Sequence, residues 1–215
     1  RAKKSWEWLQ ANDRYVKYFH YGQEFGDWDE RCWAAVELYA ATGEQGYHDY
    51  FLKNFDPTKS RWGWLTLFEN SGHAVNAYVT LKDRKTDPAM LDKCKAALKA
   101  KCDEQVRYAD AFPYRLSMPE PSIRHKNYGW HFPGDASGYE LLMGYAMTKD
   151  ERYLQCALDN MSYTCGANAS GYFLHTGLGA KRNIDIVSDY ANNDDIIDER
   201  IEQIKNLVER GKRRE

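Results

Sequence analysis

YAATGEQGY, residues 39–47, returns near the other end of the chain as YAMTKDERY, residues 145–153. Both copies read Tyr-Ala-x-Thr, a polar turn, then Tyr. An apolar stripe runs into each copy, and another begins at its closing tyrosine, so each joins two helices by a short turn. A weaker echo, Tyr78-Val79-Thr80, lies between them. Self-similarity at long spacing is the trace left by stacked helical hairpins, because one hairpin cannot bury its apolar face alone. The expected fold class is therefore all-α, with helical hairpins repeated around a toroid or along a solenoid.

The flanking sequence supports this reading. Residues 1–18 place Trp6, Leu9, Tyr15 and Tyr18 at roughly helical spacing. Residues 29–41 open on Asp29 and Glu30, which suit the positive end of a helix. There Cys32, Trp33, Ala35, Val36, Tyr39 and Ala40 form a broad apolar stripe that Gly43 stops. A helix over 47–55 is closed by Pro57, and helices are expected over 73–81, 88–112, 137–148 and 151–165. The fourth of these six opens on Asp87-Pro88, a capping residue followed by a proline suited to the first helical position. Residues 113–135 read as a long loop, and only 172–176 and 184–187 carry strand signals. The tail differs, with Ile197, Ile201, Ile204 and Val208 on one stripe of a charged helix over 195–213. The expected division is 1–185 for the hairpins and 186–215 for a loop and this amphipathic helix, which would dock on the body or on a neighbour.

Composition narrows the function. A formal charge of −2 and a pI near 6.3 give no basic footprint, which excludes nucleic acid as the expected partner. No apolar run approaches the length of a membrane span. Seven tryptophans and sixteen tyrosines are the outlier, and rings with polar tips suit wet clefts as well as cores. The five cysteines share no two-residue spacing, and their odd number argues against a disulfide framework, so they read as small buried residues. Asn160-Met-Ser and Asn168-Ala-Ser match a glycosylation triplet, a weak signal in a chain of this length. The chain begins at Arg1 and shows no signal peptide, which reads as processing, excision or truncation.

Several chemistries fail on spacing. In CGANASGYFLHTGLGAKR, residues 165–182, Gly177 and Gly179 lack the third glycine of a dinucleotide loop, and Lys181 is not followed by Ser or Thr. No Gly-x-Ser-x-Gly elbow occurs, and the six histidines are scattered singly, so neither cofactor nor metal is expected. What remains is aromatic and polar: Arg61-Trp62-Gly63-Trp64 after a proline turn, and Tyr128-Gly129-Trp130-His131 after the long loop. Indole faces stack on the apolar faces of sugar rings while neighbouring polar groups bond the hydroxyls, and loops carry function more often than cores do. Trp62, Trp64, Tyr128, Trp130 and His131 are the candidate substrate-binding residues. Tryptophans plugging the ends of the core are the competing reading.

The segments DERCWAAVELYAATGEQGYHDYF (29–51) and YGWHFPGDASGYELLMGYAMTKDERYLQCALDNMSYTCGANASGYFLHTGLGAKR (128–182) resemble glycoside hydrolase family 9. The second carries that family's Tyr-x-x-Gly-x-Asn segment at Tyr163, Gly166 and Asn168, and its Thr-Gly-x-Gly loop at Thr176, Gly177 and Gly179. The resemblance covers about residues 1–182 and implies an (α/α)6 toroid, of which this chain would be the second half. It also implies inverting hydrolysis of β-1,4-glycosidic bonds in cellulose-type glucans, a β-linked oligo- or polysaccharide partner, and a secreted, extracellular or periplasmic protein. Inversion needs a carboxylic acid for the leaving oxygen and a carboxylate base for water. The family's base lies in an Asp-rich motif of the first half, which has no counterpart here. Its acid lies in an Asn-Glu pair that this chain lacks after residue 182, where KRNIDIVSDYANNDDIIDE holds only Asp194, Asp195, Asp198 and Glu199 near the expected place. The catalytic pair is therefore unassigned, and the missing half is expected on another polypeptide or to have been removed. The alternative is a divergent or non-catalytic helical-repeat interaction module with 195–213 as its docking element. A sugar isomerase on a similar barrel would need paired His and Glu residues that the sequence does not show.

Overall fold

In a computed structural model, which describes residues 1–12, 18–20, 23–62, 71–117, 138–174 and 178–181, the two nonapeptides form the same turn. The first joins α2 (Trp28–Thr42) to α3 (Gln45–Asn54), and the second joins α6 (Tyr139–Thr148) to α7 (Glu151–Thr164). Each leading helix ends on a left-handed residue, Gly43 at φ 73° and Lys149 at φ 62°. The N–H of that residue donates to the tyrosine carbonyl four positions back at 2.8 Å in both turns. Thr42 and Thr148 each donate from Oγ1 to the carbonyl of residue i−4 at 2.7 Å. The same oxygens accept the N–H two residues on, Glu44 at 3.1 Å and Asp150 at 3.2 Å. The shared threonine is thus a hinge pin that satisfies both the ending helix and the turn.

The hairpins stack through their apolar stripes. α2 packs on α3 and on α4 (Gly72–Val79), α4 packs on α5 (Pro88–Ala111), and α5 packs on α6. One core contains Val36, Phe51, Tyr78, Leu98, Leu141 and Tyr153, all at most 1% exposed. Burying each such side chain contributes roughly 1.5–3 kcal/mol. α5 is capped by Asp87, whose carboxylate accepts the Met90 N–H at 2.8 Å, with Pro88 in the first turn. The residues 1–163 form one compact unit and 164–215 another.

The closing tyrosines are both buried. Tyr47 meets Trp6 edge-on with ring centroids 5.5 Å apart, and the Tyr153 hydroxyl donates to Asp103 Oδ1 at 2.6 Å. One buried hydroxyl ties three elements together, α3, α4 and the start of α5. Tyr78 Oη accepts the Asp87 N–H at 2.8 Å and lies 2.9 Å from His48 Nε2. The Gln45 amide nitrogen donates to Asp49 Oδ1 and lies 3.0 Å from His48 Nδ1, so Nδ1 is the acceptor and Nε2 carries the proton. Burial holds His48 below its ordinary pKa and pushes the Tyr78 phenol up to about 12.

The amino terminus departs from the reading of one helix through Tyr18. α1 spans Ala2–Ala11 and stops where the N–H and the side-chain amide of Asn12 both bond the Trp8 carbonyl. Tyr18 instead lies in β1 (Tyr18–His20), which pairs antiparallel with β2 (Gln23–Phe25), and Tyr15 lies outside the described residues. The stripe on α2 is also narrower than its composition suggested. Trp33 is 40% exposed, whereas Asp29 and Arg31 are buried. Arg31 bridges Asp27, the Leu9 carbonyl at 2.6 Å and the Asn12 carbonyl at 3.0 Å, tying the end of α1 to the start of α2.

All five cysteines are free, and four are buried. Burial pushes the Cys32, Cys94 and Cys102 thiols up to about 12 and Cys156 up to about 11, so these four are inert packing groups. The Asn160 triplet is inaccessible: its side chain, 1% exposed, accepts the Ser117 N–H at 2.9 Å and donates to Ser117 Oγ at 2.8 Å. The described residues include no helix long and apolar enough to cross a membrane. The expected helix over 195–213, and with it the segment 186–215, lies outside the described residues.

Candidate functional site

The loop that leads into α4 is clamped at its base. A single 3-10 turn, Pro57–Lys59, is capped by Asp56, which accepts from the Thr58 N–H at 3.1 Å and the Thr58 hydroxyl at 2.7 Å. Beyond it, the Arg61 N–H donates to Ser71 Oγ at 2.9 Å, and the Gly72 N–H donates to the Arg61 carbonyl at 2.8 Å. Trp62 is therefore held against the amino terminus of α4. A Cβ at Gly72 would fall 2.2 Å from Trp62 Nε1, so only glycine lets the indole lie there. The ring is half-buried and packs on the core, yet its Nε1 is sealed from solvent with no hydrogen-bond partner among the described residues.

Trp62 packs on the core and also borders open space. A groove of about 670 Å³ runs between residues 57–62 and α5. Trp64, Tyr128, Trp130 and His131 lie outside the described residues, as do Asp194, Asp195, Asp198 and Glu199.

A second aromatic surface escaped the sequence reading. The Trp33 ring stacks on His73, the second residue of α4, with centroids 4.7 Å apart and planes 23° from parallel. The Trp33 indole N–H donates to Glu37 Oε1 at 3.0 Å. The signal was available in the phase. Cys32, Ala35, Val36 and Tyr39 share the buried face, whereas Trp33 is one position off and pairs at i+4 with a glutamate. Beside it, the Glu30 carboxyl is pushed up to about 7, first by burial and then by its hydrogen bond to Asp29.

In the second unit, the described residues of the glycine-containing segment after α7 are hydrogen-bonded to one another. Asn168 Oδ1 accepts from the Ser170 N–H, the Ser170 hydroxyl and the Tyr172 N–H, while its amide donates to the Tyr172 carbonyl at 2.8 Å. Phe173 bridges to Cys165, and its N–H donates to the Lys181 carbonyl at 2.8 Å. The Phe173 ring lies where a Cβ on Gly179 would reach within 2.3 Å. Lys181 places its ammonium 4.7 Å from the Tyr172 ring centroid and also bonds the Ser170 carbonyl. Among the described residues, these bonds tie the segment to itself.

The family model for glycosyl hydrolase family 9 matches residues 1–209. The chain belongs to that family. Family 9 relatives include a xyloglucan-specific endo-beta-1,4-glucanase of Bacteroides ovatus, 29% identical over 75% of this chain and 27% of its own length. A cellulose 1,4-beta-cellobiosidase of Acetivibrio thermocellus is 25% identical over 71% of this chain and 19% of its own length. Among solved structures, a family 9 endoglucanase matches at 25% identity and a TM-score of 0.69 over 85% of this chain and 34% of its own. AaCel9A, solved with cellobiose-like isofagomine, matches at 18% identity and a TM-score of 0.68, a likeness of fold. The helices thus match part of an (α/α)6 toroid. The chain spans about a third or less of the length of these family 9 relatives.

Proposed function

We propose that this chain is part of an inverting hydrolase of β-1,4-linked glucans and supplies aromatic sugar-binding surface to its cleft. The observation that carries the proposal is the family match over residues 1–209, joined to a tryptophan held by a clamped loop at the amino terminus of α4. Relatives named for xyloglucan and cellulose hydrolysis support a β-glucan as the ligand. Trp62, Trp64 and Trp130 would stack on pyranose rings, with Tyr128 and His131 bonding hydroxyls. The catalytic acid and base would come from the remainder of the toroid or from residues after 182. A polymeric glucan does not enter cells, so such a hydrolase acts outside the cytoplasm; secretion follows from that reading.

Isothermal titration with cello- and xylo-oligosaccharides tests the proposal. Wild type is expected to release heat, with Trp62→Ala and Trp130→Ala weakening binding by about 1–3 kcal/mol each, the range for lost aromatic stacking on a ligand ring. Identical titrations for wild type and Trp130→Ala, both folded, would count against the assignment.

A further inference from the structure

The residues on either side of segment 118–137 are both seated on α7. That segment holds Tyr128, Trp130 and His131. Immediately before it, Leu116 and Ser117 are buried, and Asn160 of α7 bonds Ser117 twice. Asn160 Oδ1 accepts the Ser117 N–H at 2.9 Å, and its amide donates to Ser117 Oγ at 2.8 Å. Immediately after it, a Cβ on Gly138 would stand 2.9 Å from Ala157 Cβ and 3.1 Å from Ala157 Cα. Gly138 also takes φ 83°, where a side chain is strained, so glycine alone fits this seat. Ala157 and Asn160 lie three residues apart on α7, on one face and ~4.5 Å apart along the axis.

The approach to Ser117 is held as well. Arg115 takes φ 55°, a left-handed conformation that its surroundings must maintain. Its Nε donates to Asp159 Oδ2 on α7 at 2.6 Å, and its Nη1 donates to Asp110 Oδ1 on α5 at 2.8 Å. Asp159 and Asn160 thus grip Arg115 and Ser117 in parallel. Asn160 is 1% exposed, a position that an apolar side chain would fill without the cost of burying an amide. What the amide adds is a directional hold on the backbone of one residue, at the root of the segment.

We infer that Asn160 is a positioning residue of the glycan-binding surface, acting through Ser117 on the segment that carries Tyr128, Trp130 and His131; the inference rests on the β-glucan reading above. Asn160 fixes the outgoing end, and the contact of Gly138 with Ala157 fixes the returning end one helical turn away. Ends fixed before the ligand arrives lower the ordering that binding must otherwise supply.

The test is titration of the folded chain with cellohexaose, alongside digestion by trypsin, whose sites within the segment are Arg124 and Lys126. Asn160→Ala frees the outgoing end, and Gly138→Ala forces the returning end off Ala157. Ser117→Ala keeps the N–H bond and is the milder variant should Asn160→Ala fail to fold. Circular dichroism sets a temperature at which each variant is folded. The first two are expected to bind about tenfold weaker and Ser117→Ala about threefold, the order that follows when one or two contact side chains are ordered only at binding. In a Trp130→Ala background the tenfold deficit should shrink to about threefold. Cleavage at Arg124 and Lys126 without ligand should accelerate several-fold. Folded variants that bind as wild type does overturn the inference and reduce Asn160 to a core residue. An equal deficit with and without Trp130 overturns positioning through this segment. Wild type without affinity for cellohexaose or xyloglucan oligosaccharides overturns the β-glucan reading instead. The trypsin rates then decide the anchoring, with faster cleavage upholding it and unchanged cleavage overturning it.

Discussion

Replacing Tyr78 by phenylalanine removes one oxygen from the centre of the hairpin stack and nothing else. The ring keeps its contacts, with centroids 4.8 Å from Phe51 and 5.7 Å from His48, so packing is conserved. What disappears is the shared acceptor for two donors, the Asp87 N–H at 2.8 Å and the His48 Nε2–H at 2.9 Å. Each bond contributes about 1 kcal/mol net, and a buried donor left unpaired costs about 1–3 kcal/mol. His48 is 5% exposed and cannot turn to water without breaking its stack on Tyr39, 4.7 Å away, so its donor stays orphaned. Asp87 is only half-buried, and solvent recovers part of its loss. The expected total is about 2–3 kcal/mol, or a fall in Tm of about 5–10 °C at this chain length. Thermal melts followed by circular dichroism measure it, and amide exchange at Asp87 should accelerate in parallel. A variant that melts within one degree of wild type, with the Asp87 amide equally protected, would refute the view that this hydroxyl ties the hairpins together.

The duplicated turn offers an internal control: Lys149→Gly should stabilise by a few tenths of a kcal/mol and Gly43→Ala destabilise by about 1 kcal/mol, because both positions are left-handed. Urea titration of the pair checks the signs, and equal effects at both sites would sink the equivalence. Asn160→Ala strands the buried Ser117 N–H and hydroxyl and is expected to cost about 2–3 kcal/mol by the same titration; wild type expressed in a glycosylating host should carry no sugar at Asn160 by mass spectrometry. Glu30 has a folded pKa of about 7 against an ordinary 4.5, so between those values the folded state binds more protons than the unfolded one. Stability should therefore fall as pH rises from about 4.5 to 7, and melts of Glu30→Gln across that window should show the slope flattened; an unaltered slope would exclude Glu30 as its source.

The hairpin architecture was legible because its signals are local. Tyr39, Thr42 and Tyr47 repeat as Tyr145, Thr148 and Tyr153, and a threonine that bonds back to residue i−4 and forward to residue i+2 needs no distant partner to form its turn. Helix bounds came within a few residues for the same reason, since Asp87-Pro88 and Gly43 act on their own backbone. The four buried cysteines followed from residue chemistry alone. The early end of α1 was not legible as read, because the periodicity of Trp6, Leu9, Tyr15 and Tyr18 outweighed the Asn12 stop signal.

The rest depends on which residues meet. Trp33 counted as core by composition, yet its phase leaves it outside, stacked on a histidine forty positions away in the chain. Arg31 lies inside an apolar stripe because the carbonyls of Leu9 and Asn12 end there and need a donor. The groove beside Trp62 exists because three alanines of α5 face a clamped loop, a juxtaposition that neither segment encodes by itself. The sequence by itself determined the helices, their turns and the family, all properties of near neighbours and of motif order. Only the tertiary structure decided which aromatic rings are walls and which are core, because burial is set by the elements packed opposite a side chain.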